Sequence, residues 1–90
     1  MTNIYIYCLF DRNDVLHGVY SSVEAVHRDA VKLSVRLGVG KDILMEIGDT
    51  KQPANAKSLR NLLRGCFDVR VQYYTSRFVS AKIVKTKLKE

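Results

Sequence analysis

Residues 3–10, Asn-Ile-Tyr-Ile-Tyr-Cys-Leu-Phe, set Ile4, Ile6, Cys8 and Phe10 on one side of an extended chain and Tyr5, Tyr7 and Leu9 on the other. Apolar residues on both sides are the pattern of a central strand covered on both faces. Asp11-Arg12-Asn13-Asp14 reads as a polar turn, because Asp and Asn bond back to the backbone and tolerate left-handed geometry. Residues 15–20 return from it as a second strand, which makes the opening unit a β-hairpin. Ser21, with Glu24 three residues later, fits a capping box at the start of a helix. Val23, Val26, Ala30, Leu33 and Leu37 then draw one apolar stripe at spacings of three and four, and Gly38 suits the helix end.

Residues 42–47 are too short for periodicity to decide between helix and strand, and a strand is favoured. Gly48 to Pro53 is rich in turn formers and reads as a loop. Residues 56–64 predict a shorter helix with Ala56, Leu59, Leu62 and Leu63 buried, ending at Gly65. Phe67, Val69, Val71 and Tyr73 then alternate with Asp68, Arg70, Gln72 and Tyr74, a half-buried strand. After a turn at 75–77, Val79, Ala81 and Ile83 alternate with Ser80, Lys82 and Val84 in a closing strand. The expected fold class is α+β: a mostly antiparallel sheet with two helices packed on one face, in the order β-β-α-(β)-α-β-β. One domain spans residues 1–90, with neither repeats nor a linker.

Composition agrees with a folded domain: 47% of the 90 residues are hydrophobic, and one proline occurs. No apolar run approaches the roughly 20 residues of a membrane span, and the start does not read as a signal peptide. Cys8 and Cys66 have no close partner at zinc-site spacing and read as small apolar residues of a reduced, cytoplasmic protein. No cofactor or metal is expected.

Charge changes the picture. Residues 1–50 hold five basic residues against seven acids, a net of −2, whereas residues 51–90 hold ten against two, a net of +8. Such asymmetry points to a polyanionic or acidic partner. Lys57, Arg60 and Arg64 share one face of the second helix. Arg70 and Lys82 share the polar alternation of the last hairpin with Gln72, Tyr74 and Ser80. Arginine, lysine and tyrosine side by side can hold phosphates and stack a base, so Lys57, Arg60, Arg64, Arg70, Lys82 and Tyr74 are the candidate nucleic-acid or anion-binding residues. Arg28, Lys32 and Arg36 form a secondary basic stripe on the first helix, with Glu24 one turn earlier and spaced to pair with Arg28. Lys85, Lys87 and Lys89, with Glu90, read as a basic tail.

Catalytic signatures are missing from the pattern. Gly38-Val39-Gly40-Lys41 lacks the strand before it and the Ser or Thr after the lysine that a phosphate loop uses. His17 and His27 have no carboxylate or cysteine at dyad or ligand spacing in the sequence, and both read as surface or boundary residues. The expectation is a binding protein and not an enzyme.

Three resemblances bear on this. Ile4-Tyr5-Ile6-Tyr7-Cys8-Leu9 resembles the aromatic strand of an RNA-recognition motif, although the β-β start departs from that family's order. Leu63-Arg64-Gly65 followed by Val69-Arg70-Val71 and a basic end resembles ribonuclease toxins of the RelE type over about 20 residues. That likeness would imply a ribonuclease as the alternative, with Arg64 and Arg70 holding and cleaving RNA phosphates. Gly18-Val19-Tyr20-Ser21-Ser22, running from a strand into a helix, resembles small accessory proteins of tailed bacteriophages over residues 3–37. It implies a context in the cytoplasm of an infected host, where such proteins bind and modulate host proteins. The expected partner is thus nucleic acid or an acidic host protein, with no membrane. The closing strand is free to pair with a second copy in a homodimer, although the sequence does not decide the oligomeric state.

Overall fold

The computed structural model describes residues 4–36, 43–47, 50–64, 69–75 and 78–87. The opening hairpin is β1, Tyr5–Asp11, and β2, Leu16–Tyr20. Asp11 builds its turn: Oδ1 accepts the N–H groups of Asn13 at 2.8 Å and Val15 at 3.0 Å, and the Asp11 N–H donates to the Val15 carbonyl. Asp14 takes a left-handed φ of 63°, which Asp tolerates better than most non-glycine residues.

Helix α1 covers Val23–Arg36. Its cap is Ser22, not Ser21: the Ser22 Oγ accepts the Ala25 N–H at 3.2 Å, and its carbonyl accepts that of Val26. Glu24 therefore sits one position too early to close a capping box and turns to another partner. The stripe is buried at Val23, Val26 and Ala30, with Leu33 packed beside it. Strands β3, Ile43–Ile47, and β4, Thr50–Pro53, form a second hairpin, so residues 50–53 are strand where a loop was expected. Thr-Lys-Gln-Pro has no apolar alternation because β4 is an edge, held by backbone pairing to β3, and an edge also accommodates Pro53. Helix α2, Ala56–Leu63, starts at Asn55, whose side chain accepts the Ser58 N–H at 2.8 Å. Its buried residues are Leu59 and Leu63, with Leu62 and Ala56 half-buried. Strands β5, Val69–Thr75, and β6, Phe78–Lys87, complete the described elements.

The six strands form one antiparallel sheet in the order β2-β1-β6-β5-β3-β4. The class is α+β, in the expected order with β4 added. Leu9, Met45, Val71, Tyr73, Ala81 and Ile83 line one sheet face and are buried against Val23, Val26 and Ala30 of α1 and Leu59 and Leu63 of α2. Both helices thus lie on one face. Strand alternation sends Ile6, Cys8, Phe10, Arg70, Gln72, Tyr74, Lys82 and Val84 to the other, where no described element packs. β1 is interior, as expected, but the described elements cover it on one face only.

Three local expectations change. The closing strand β6 is no edge; it lies between β1 and β5, and the edges among the described strands are β2 and β4. Ser80 leaves the polar alternation because the register jumps from Tyr73↔Ala81 to Tyr74↔Val79, making Ser80 a bulge residue turned into the core. There its Oγ lies 2.6 Å from that of Ser34, also fully buried, and 3.2 Å from the Tyr73 carbonyl oxygen. Lys85 is no tail residue. It is only 7% exposed, and its Nζ donates to the Leu63 carbonyl at 2.7 Å, capping α2 from the sheet face that packs against it. The expectations placed on Leu37, residues 38–41, Asp42, Gly48, residues 65–68, the turn at 76–77, Lys89 and Glu90 lie outside the described residues, as does the Arg36 side chain.

Candidate anion-binding face

The predicted basic residues divide between the two sides of the molecule. Lys57, Arg60 and Arg64 are exposed on α2, in the helical layer. Arg60 pairs with Glu24 of α1, joining the two helices, and the Arg64 N–H donates to the Arg60 carbonyl at the helix end. On α1, Arg28 and Lys32 lie 3.6 and 3.9 Å from Asp29, so Arg28 pairs with its neighbour and not with Glu24. Arg70, Lys82 and Tyr74 lie on the uncovered sheet face. Arg64 and Arg70, which the ribonuclease resemblance would join, therefore occupy different layers.

On the uncovered face the register sets Gln72 opposite Lys82 and Arg70 opposite Val84, so Arg70 and Lys82 are diagonal neighbours. Across β6 from Lys82 stands Phe10 of β1. Phe10, Arg70, Lys82, Val84 and Asp14 enclose a depression of about 170 Å³. The Lys82 Nζ donates to Asp14 Oδ1 at 2.6 Å. Arg70 is exposed and has no ion-pair partner among the described residues. Further along, the Tyr74 hydroxyl lies 2.7 Å from Gln72 Oε1 and 3.0 Å from Glu46 Oε1. Partial burial, and then the Glu46 carboxylate, push its pKa up, so the phenol stays protonated. Lys51 Nζ sits 4.6 Å from the centre of the Tyr74 ring.

Phe10, Asp14 and Lys51 were not among the predicted residues. From the sequence Phe10 reads as a packing residue, because the pattern of its strand predicts cover on both faces. Asp14 meets Lys82 across 68 residues, a proximity that no local pattern carries.

Both histidines acquire partners the sequence spacing concealed. His17 Nε2 lies 3.0 Å from Asp11 Oδ2 across the hairpin, and this contact first, then the Val15 N–H, holds the Asp11 carboxyl below its usual range. His27 Nδ1 lies 2.5 Å from the Tyr73 hydroxyl; burial lowers the His27 pKa and raises that of Tyr73, so both are neutral near pH 7. Between the hairpin and α1 a cleft of about 290 Å³ is lined by Leu9, His17, Tyr20, Asp29, Lys32 and Leu33. Within it the Tyr20 hydroxyl donates to Asp29 at 2.6 Å, which pushes the phenol up to about 12. The polar groups of this cleft are largely paired with each other.

No family model matches the chain, and neither a curated protein nor a solved structure matches it significantly. Among the described residues no helix is long and apolar enough to cross a membrane.

Proposed function

We propose that this protein is a non-enzymatic binding module that holds single-stranded nucleic acid on the uncovered face of its sheet. The observation that carries this reading is Arg70, exposed and unpaired among the described residues, beside Lys82 in a depression walled by Phe10 and Val84. Cations hold phosphates, while aromatic and apolar side chains accept bases whatever their sequence. Tyr74 beneath Lys51 extends the same chemistry along β5 and β4. A net charge of +6 favours encounter with a polyanion.

The test is a salt titration of binding to labelled DNA and RNA single strands. Affinity should fall with a log–log slope of about −0.7 per phosphate neutralised. Arg70→Ala should weaken binding about fivefold or more at low salt and make the slope shallower by about 0.7. Undetectable binding of the wild type at about 50 mM salt would sink the reading.

A second reading has its own observation. Edge strand β4 is guarded by Lys51 and Pro53, whereas β2 carries neither, and its Leu16 and Val19, with Val15 before it, are 52%, 54% and 55% exposed. Strand addition by a protein partner fits that edge. In the accessory-protein context implied by residues 3–37, that partner would be a host protein. Capture of a defined partner that Val19→Lys abolishes, with nucleic-acid binding unaffected, would favour this reading.

A further inference from the structure

Lys82 is held by an acid from its own chain, and the way that acid is presented matters. Asp14 comes from the β1–β2 turn, 68 residues away in sequence. Its side chain is 72% exposed, while that of Lys82 is 16% exposed, so the carboxylate approaches the ammonium from the solvent side. It occupies the rim of the depression where an incoming anion would have to sit. The turn is braced by Asp11, which accepts two backbone N–H groups, and Asp14 keeps a left-handed φ of 63°. At about 170 Å³ the depression is smaller than the roughly 300 Å³ at which drug-sized ligand sites begin. Its size suits one charged group of a longer chain. One wall is Arg70, a cation without an ion-pair partner among the described residues; the other cation, Lys82, has a partner that solvent can reach.

We propose that the depression is a subsite for one phosphodiester of a single strand, and that Asp14 is its built-in competitor. A backbone phosphate bridges Arg70 and Lys82 and displaces the Asp14 carboxylate into water, with Phe10 beside it for the adjoining base or sugar. The assignment rests on the nucleic-acid reading and adds to it a gate: weak anions leave the Asp14–Lys82 pair closed, and only a strand anchored elsewhere on the face opens it. Because the competing pair is reached by water, exchange is cheap. With the Asp14 side 72% exposed, the pair is screened by water and is worth about 1 kcal/mol, or about fivefold in affinity.

The experiment compares wild type, Asp14→Asn and Asp14→Gly for binding of a labelled oligothymidylate and its RNA counterpart, with inorganic phosphate as competitor at constant ionic strength. Asn and Gly both accept a positive φ, so the turn survives and either variant serves if the other fails to fold. Removing the carboxylate should tighten binding about fivefold, and Lys82→Ala in the Asp14→Asn background should abolish that gain. Inorganic phosphate should compete weakly. If the wild type binds and the Asp14 variants bind no tighter, the competitor role is overturned while the nucleic-acid reading stands. If neither the wild type nor the variants bind, the reading beneath it fails as well. Equal displacement by free phosphate at strand-like concentrations would overturn the single-strand assignment in favour of a simple anion site.

Discussion

Gly18 shows what one residue decides in this fold. A Cβ there would lie 2.8 Å from the Tyr20 hydroxyl, because the Tyr20 ring folds back along β2 on its way to Asp29. Gly18→Ala should push that ring aside and break the Tyr20–Asp29 hydrogen bond. The expected cost is about 1–2 kcal/mol in denaturant unfolding, and Tyr20→Phe should lose a similar amount with little further loss in the double variant. The sequence showed a glycine before a tyrosine and a helix start, without the reason for the glycine. Buried polar residues were hidden more thoroughly. The Ser34 and Ser80 hydroxyls carry two protons for three close contacts: each other, the Ala30 carbonyl and the Tyr73 carbonyl. Each single Ser→Ala change should cost about 1–2 kcal/mol, and the double change less than their sum. Nothing in the sequence shows the bulge that turns Ser80 towards Ser34, so the pairing carries no local signal. His27 sets a pH dependence of known sign. Its folded pKa lies below the unfolded value of about 6.5, so its contribution is fully present above that value. As pH falls towards 5, the unfolded chain takes up a proton that the folded state resists, and stability drops. Unfolding curves from about pH 7 to pH 5 should show this loss in the wild type and much less of it in His27→Gln.

Among elements, what repeated locally was legible and what depended on pairing was not. The α1 stripe, the α2 leucines and the alternation in β5 each recur within one segment, so their buried faces could be assigned from spacing alone. β4 could not, since its only structural signal is its pairing with β3. Lys85 was assigned to a charged tail for the same reason: its partner, the Leu63 carbonyl, belongs to another element. Lys85→Met retains the buried stem but removes the Nζ donor from that carbonyl. It should cost about 1–3 kcal/mol, with hydrogen exchange accelerating first in the last turn of α2. Arg60→Ala removes an inter-helix pair exposed on both sides, and a loss under about 1 kcal/mol is expected.

Over the whole molecule, the charge asymmetry of the sequence proved to be an arrangement by layer. The C-terminal half supplies cations to both sides of the sheet: Arg60 and Arg64 above the helices, Arg70 and Lys82 beneath. A count along the chain cannot separate the two, because helix α2 and strands β5 and β6 follow one another in sequence yet belong to different layers. Arg60→Ala with Arg64→Ala should therefore leave single-strand affinity within about threefold, whereas Arg70→Ala with Lys82→Ala should lower it by tenfold or more; equal losses would place the ligand elsewhere. The position of β6 has a consequence for synthesis. It is the latest strand in chain order, yet it alone joins the β1–β2 side of the sheet to the β5–β3–β4 side. Before β6 is available the chain can form at most separate hairpins, and β1 should then keep an open inner edge prone to wrong partners.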